Sequence, residues 1–105
     1  MFIDGKWVES RSGETFEVFN PATGASLATV PSGNADDATA AIDAASNAFA
    51  DWSATTAYER SRLLYRSWEI MTERSKDLAQ LMTAEQGKPL RAARAEVKYA
   101  ADFLI

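Results

Sequence analysis

The segment TAEQGKPLRAARAEVKYAADFLI, residues 83–105, decides the fold of this chain because it contains its clearest helix end and helix start. Gly87 is suited to end one helix in the left-handed conformation, and Pro89 to begin the next. Apolar residues then recur at the spacing of one helix face, at Leu90, Ala93, Val97, Ala100 or Ala101, and Leu104. No Gly, Asn or Pro caps the helix after the apolar end at residues 103–105. We therefore expect the chain to be the front end of a longer protein.

The composition is that of an ordinary globular domain, with 47% hydrophobic and 25% charged residues among 105. The net charge of −4 argues against nucleic acid as a partner, because phosphate-binding faces are usually basic. No apolar run approaches the roughly 20 residues that span a bilayer. Residues 1–6 lack the apolar region of a signal peptide. We expect a cytoplasmic protein that binds neither nucleic acid nor a membrane.

Two residue types are missing, and their absence limits the chemistry of the chain. It contains no Cys and no His. A thiolate nucleophile, a zinc–thiolate site and the commonest general base are therefore unavailable. We do not expect a self-contained hydrolase or metalloenzyme.

The first 33 residues have the pattern of short strands and turns. Asp4-Gly5 between apolar residues predicts a two-residue β-hairpin. The β-branched and aromatic run Thr15–Phe19 predicts a strand, and residues 20–24, NPATG, predict the turn after it. Residues 27–30 predict a further strand that ends at a Pro-Ser-Gly sequence.

Residues 34–105 have helical periodicity. Asn34 is suited to cap a first helix that ends near Ala50, with Trp52 in the following connection. The residues expected on its apolar face are Ala38, Ala41, Ile42, Ala45 and Phe49. A capping box at Thr56 and Glu59 predicts a second helix to about Arg74.

The second and third helices have apolar stripes of their own. The expected stripe of the second helix is Leu64, Trp68 and Met71. Ser75 is expected to cap the third helix, whose inward-facing residues are Leu78, Leu81 and Met82. The three tryptophans, Trp7, Trp52 and Trp68, are interpreted as core residues rather than as a ligand platform.

Glu85 and Glu96 are the best candidates for functional carboxylates, although a solvated or ion-paired role is the commoner one for helical Glu. They could act as an acid–base pair only if both faced one cleft, and the helix break between them hides their relative direction. Four cations could hold an anion or simply form a charged outer face, which is the simpler interpretation: Lys88, Arg91, Arg94 and Lys98. The five glycines lie too far apart for a phosphate-binding loop.

Five segments, in order, resemble the N-terminal part of the NAD(P)-dependent aldehyde dehydrogenases. They are IDGKWV, FEVFNPATG, ADDATAAIDAASNAFADWS, TTAYERSRLLYRSWEIMTERS and LMTAEQGKPLRAARAEVKYAADFLI. The resemblance covers essentially the whole chain, and the last segment is most similar to the succinate-semialdehyde dehydrogenase group. It implies an α/β aldehyde dehydrogenase-like fold in which a hairpin and short strands are followed by four helices, as the N-terminal part of the NAD(P)-binding domain, with the rest of that domain missing.

The resemblance implies a parent enzyme that oxidises succinate semialdehyde or a similar small aldehyde to the acid, with NAD or NADP as cofactor. The family's catalytic and cofactor-binding residues lie downstream, so none is carried over to this chain. We therefore expect the 105 residues to be inactive and to bind no cofactor alone. The implied partners are the rest of the same polypeptide and further copies of the parent, as a homo-oligomer. The family also implies a monovalent cation bound by the main-chain oxygen of Phe19 and the side chain of Glu96.

A second hypothesis treats the chain as a non-catalytic binding or assembly module. Such a module would use the apolar face of the last helix, ending at residues 103–105, to hold a partner helix. This leaves two classes of function open at the level of the sequence.

Overall fold

A computed structural model describes every residue from Met1 to Ile105. Short strands precede four helices, which confirms the predicted fold class. The strands are β1 Phe2–Ile3, β2 Lys6–Trp7, β3 Thr15–Phe19 and β4 Ser26–Pro31. The helices are α1 Ala35–Ala54, α2 Ala57–Glu73, α3 Ser75–Gln86 and α4 Leu90–Asp102. None of these helices combines the length and the apolar character that a membrane span requires.

The chain forms two compact units. The first comprises Met1–Val18 and Ala28–Thr55, and the second comprises Phe19–Leu27 and Thr56–Ile105. Strands β1 and β2 form one two-stranded sheet, and β3 and β4 form another.

The predicted hairpin of the first unit is confirmed. Strands β1 and β2 are antiparallel, with Phe2 opposite Trp7. Asp4 and Gly5 both have positive φ, 52° and 71°, as the two central residues of a type I′ turn require. The rings of Phe2 and Trp7 lie edge to face with centroids 5.3 Å apart.

Helix α1 begins as predicted but ends later. The side chain of Asn34 accepts hydrogen bonds from the backbone N–H groups of Asp36 and Asp37, which confirms Asn34 as the N-cap. The expected end near Ala50 is wrong, because the helix includes Trp52 and continues to Ala54. No Gly or Pro interrupts this alanine-rich stretch, so nothing stops the helix before Thr55.

The apolar face predicted for α1 is not the covered face. Ile42 and Phe49 are each 67% exposed. The covered positions are Asp37, Ala40 and Ala44, which lie on the opposite side of the helix. The predicted face is wrong because α1 packs through small alanines and Asp37, whereas the large apolar side chains of Ile42 and Phe49 are left mostly uncovered by the other elements of this chain.

The core of the second unit forms where α3 and α4 meet. Ala79 and Ala93 have no exposed surface, and Val97 is also buried. These small side chains allow the two helices to approach closely. Leu78, Met82 and Leu90 pack around them. The predicted stripe on α4 is confirmed, and Ala101 rather than Ala100 is its buried member.

Other expectations for the second unit are corrected. Thr56 and Glu59 form the predicted capping box of α2. Leu64 and Leu81, however, are about half exposed. Ser75 is the first residue of α3 and not its cap, because Arg74 ends α2 and begins α3 without a side-chain cap.

The tryptophans do not form a core. Trp7 is 83% exposed, Trp52 is also exposed, and Trp68 is half-buried. The prediction of core positions is therefore wrong for Trp7 and Trp52 within this chain. No large side chain is fully buried, so Ala and Val make the core.

Candidate functional site

The functional candidates of the second unit lie around a sharp corner between α3 and α4, formed by Gly87, Lys88 and Pro89 and called here the helix corner. Gly87 has φ 73° and ends α3 in the left-handed conformation, as predicted. Its N–H group donates to the carbonyl oxygen of Thr83 at 2.9 Å. A methyl group added at Gly87 would lie 3.1 Å from Cγ of Pro21, so the Asn20-Pro21 turn packs directly against the corner.

The backbone around Lys88 is fixed on both sides. Gly87 is left-handed, and Pro89 has φ −54°. A residue that precedes proline is restricted to extended conformations. The Cα–Cβ bond of Lys88 therefore leaves the corner in a set direction, and the ammonium group at the end of its flexible side chain pairs with the carboxylate of Glu96 on α4.

Glu85 and Glu96 line the same groove, so the two carboxylates face one cleft across the helix break. The groove between α3 and α4 is lined by both carboxylates and by apolar side chains that include Leu78, Met82 and Val97. Because Lys88 neutralises Glu96, the two carboxylates do not form an acid–base pair here. No Cys, Ser or Thr lines the groove, so it offers neither a thiol nor a hydroxyl nucleophile.

The four cationic side chains of residues 88–98 have different surroundings in the structure. Lys88 pairs with Glu96, and Lys98 donates to Asp102 at 2.6 Å one helical turn further along. Arg94 lies with Lys98 at the edge of a second groove whose floor includes Trp68, Val97 and Ala101, and Arg91 is exposed. Two of the cations thus already have carboxylate partners, so the four do not converge on one anion site.

The predicted cation ligands, Phe19 and Glu96, both belong to the second unit, Phe19 as the last residue of β3. A carbonyl oxygen and a carboxylate are suitable donors for a monovalent metal ion. The carboxylate, however, is already paired with the Lys88 ammonium. No cluster of three or more acidic side chains exists that could hold a metal ion. The donor set therefore fits a metal ion poorly while Lys88 is in place, and the cation site stays a prediction.

The carboxylate of Asp37 in the first unit does more than place an acid in the first turn of α1, where the helix dipole favours one. Asp37 is buried and accepts hydrogen bonds from the Ser10 hydroxyl at 2.7 Å and from the backbone N–H groups of Arg11 and Asn34, both at 3.0 Å. It thereby ties the loop after β2 to the start of α1. The N-x-x-D spacing from Asn34 was a signal for the capping box. Nothing local signals Ser10, which lies 27 residues away.

These hydrogen bonds lower the pKa of Asp37 below its ordinary value of 3.8, with the Ser10 hydroxyl as the largest cause, followed by the backbone of Asn34 and of Arg11. A lowered pKa means that the folded chain favours the charged carboxylate more than the unfolded chain does. The contribution to stability is therefore present above the unfolded pKa and is lost as the pH falls through the folded one. Asp37 acts as a structural anchor whose strength declines only in acid.

Comparison with known proteins gives one consistent result. The model of the aldehyde dehydrogenase family matches residues 7–105. The chain is 48% identical over 102 residues to the NADP(+) succinate-semialdehyde dehydrogenase of Escherichia coli, covering 97% of this chain and 21% of the relative. It is 50% identical over 103 residues to a 3-sulfolactaldehyde dehydrogenase of Pseudomonas putida, covering 98% and 21%.

The solved structures agree with these relatives. An NADP-dependent enzyme of Escherichia coli matches with a TM-score of 0.96 and 48% identity, over 98% of this chain and 21% of that one. PnpE, solved in complex with nicotinamide adenine dinucleotide, matches with a TM-score of 0.94 and 36% identity, over 98% of this chain and 21% of that one. The chain thus spans about a fifth of the length of the relatives it matches.

Proposed function

The chain belongs to the aldehyde dehydrogenase family, and we propose that it is the N-terminal part of an NAD(P)-dependent enzyme that oxidises a small aldehyde to the acid. The observation that carries this proposal is the match of nearly the whole chain, at 48–50% identity, to dehydrogenases of this kind. When bound to the parent enzyme, the nicotinamide cofactor would accept the hydride.

The proposed substrate is an aldehyde that carries an anionic group, such as succinate semialdehyde. The names of the relatives support this class: succinate semialdehyde and glutarate semialdehyde have a carboxylate, and 3-sulfolactaldehyde has a sulfonate. The identities to these three dehydrogenases are 48%, 48% and 50%, which are too similar to favour one of their substrates. We therefore propose the class of anionic aldehydes, with succinate semialdehyde as the first substrate to test.

The role proposed for these 105 residues is that of a scaffold. The chain has no thiol to attack an aldehyde, and its two short sheets and scattered glycines offer no cradle for a pyrophosphate. We therefore propose that it neither catalyses the reaction nor binds NAD(P) alone, and that it forms the N-terminal part of the cofactor-binding domain. The cytoplasmic location stays a prediction.

Exposed apolar surface supports packing against the rest of the same polypeptide and assembly of the parent into a homo-oligomer. Many large apolar side chains are exposed, among them Phe2, Trp7, Phe49, Phe103 and Ile105. A monomeric soluble domain rarely exposes large contiguous apolar patches. These side chains are consistent with a segment that is completed by further protein.

The alternative, a stand-alone assembly module, loses part of its basis in the structure. The apolar stripe that would receive a partner helix is already used within the chain, because Ala93, Val97 and Ala101 are buried against α2 and α3. Only the end of that face, with Phe103 and Ile105, remains exposed.

The test is to sequence the gene downstream of the Ile105 codon and to assay the encoded protein. We expect an open frame that encodes a full-length dehydrogenase, with NAD(P) reduced in the presence of succinate semialdehyde, glutarate semialdehyde or 3-sulfolactaldehyde. The 105-residue chain, purified as the control, should reduce none. A stop codon directly after Ile105, or aldehyde oxidation by the short chain itself, would contradict the proposal.

A further inference from the structure

The carboxylate of Glu96 meets a cation that belongs to the chain itself. Lys88 reaches it from the helix corner, eight residues earlier in sequence. The side chain of Lys88 is 29% exposed, whereas that of Lys98, which pairs with Asp102 at the second groove, is 75% exposed. Glu96 and Asp102 are about equally exposed, so the Lys88–Glu96 pair is the more sheltered of the two pairs through its lysine alone.

We propose that the Lys88 ammonium group takes the role at the Glu96 carboxylate that the family resemblance assigns to a monovalent metal ion, so that this chain supplies its own cation there. A lysine ammonium is a compact point charge with three N–H donors. It satisfies a carboxylate as a monovalent metal ion would, and it is covalently held there by a backbone that Gly87 and Pro89 constrain. This inference concerns the chain alone and does not rest on its proposed enzymatic function.

The groove around Glu96 explains what the loss of Lys88 would do. Glu85 lines the same groove and makes no ion pair of its own. Without Lys88, two exposed carboxylates would border one groove without a counter-charge, and like charges repel each other. A metal cation would then relieve this repulsion. The variant without Lys88 should therefore acquire the metal dependence that the natural chain lacks.

The test measures urea unfolding in sodium, potassium and tetramethylammonium chloride at one ionic strength, so that general screening is equal in all three. The wild-type chain should unfold at the same midpoint in each salt. Lys88→Met should unfold at a lower midpoint in tetramethylammonium chloride, and the midpoint should rise saturably with added Na⁺ or K⁺. Glu96→Gln in the Lys88→Met background should remove this response.

Lys98→Met is the matched control, because it also leaves a carboxylate, Asp102, without its lysine partner on α4, but at the second groove, whose lining includes two further cations, Lys76 and Arg94. It should show no difference among the salts. A saturable stabilisation of the wild-type chain by Na⁺ or K⁺ would overturn the proposal and favour a metal at Glu96. A folded Lys88→Met variant that is insensitive to the salts would overturn it as well. Should Lys88→Met not fold, Lys88→Arg keeps the charge and must remain insensitive; a metal response in it refutes the inference.

Discussion

A single methyl group at Gly87 tests whether the Asn20-Pro21 turn packs against the helix corner. Gly24→Ala is the matched control, because Gly24 has φ 71°, close to the 73° of Gly87, and lies in the same unit. A methyl group added at Gly24 meets nothing within 4 Å, whereas one added at Gly87 lies 3.1 Å from Cγ of Pro21. The two substitutions therefore share the backbone strain and differ in the steric contact.

The magnitudes follow from this difference. An alanine in the left-handed conformation costs roughly 1–2 kcal/mol, and the loss of glycine flexibility in the unfolded chain returns roughly 0.4–1 kcal/mol. Gly24→Ala should therefore lower the free energy of unfolding by about 1 kcal/mol. Carbon atoms prefer separations of roughly 3.5–4.0 Å, and relieving this contact at an exposed site, where Pro21 need shift by only a few tenths of an ångström, costs about 1 kcal/mol, the low end of the range for overpacked cores. Gly87→Ala should thus lower the free energy of unfolding by about 2 kcal/mol.

The assay is urea unfolding followed by circular dichroism, repeated in a Pro21→Ala background. Removing Cγ of Pro21 leaves its Cβ, which would lie 3.9 Å from the new methyl group, an ordinary van der Waals contact. The excess cost of Gly87→Ala over Gly24→Ala should then disappear, as a double-mutant cycle would show. Equal costs for the two substitutions, or an excess that survives Pro21→Ala, would refute the packing of the turn against the corner.

Three further substitutions test other parts of the structure. Asp37→Asn should lower the urea midpoint at pH 7, because Ser10 stabilises the charged carboxylate. The midpoint of the variant should also fall less steeply than that of the wild type below the ordinary carboxyl pKa of 3.8, and an unchanged pH dependence there would contradict this. Thr56→Ala should lower the free energy of unfolding by about 1 kcal/mol through the lost N-cap of α2, and no loss in urea unfolding would disprove the cap. Ala93→Leu should lower it by about 1–3 kcal/mol because Ala93 is fully buried, whereas Ala92→Leu, its exposed neighbour, should stay within about 0.5 kcal/mol.

Short sequence motifs of a few adjacent residues predict the local structure correctly at several places. The Asp4-Gly5 hairpin, the caps at Asn34 and Thr56 and the left-handed Gly87 all depend on backbone geometry within about four residues, so the sequence predicts them directly. The buried stripe on α4 was predictable for a related reason, since a helix of small and apolar residues at regular spacing has one packing face.

Tertiary structure decided which surfaces meet. Ile42 and Phe49 on α1 and Trp7 on β2 are apolar but exposed. An apolar residue type favours burial, but burial also requires another element of the chain to cover the side chain. The contact of Asp37 with Ser10 and the presence of Glu85 and Glu96 at one groove likewise depend on residues brought together from distant or interrupted segments.

The sequence by itself thus determined the Asp4-Gly5 turn, the caps at Asn34 and Thr56 and the family, because each is encoded in short or ordered patterns along the chain. Only the tertiary structure decided that the helix corner directs Lys88 onto Glu96, because the direction of a side chain after a left-handed glycine is a property of three-dimensional geometry. The ion pair of Lys88 with Glu96 is observed in that geometry and is not encoded in the pattern of residues.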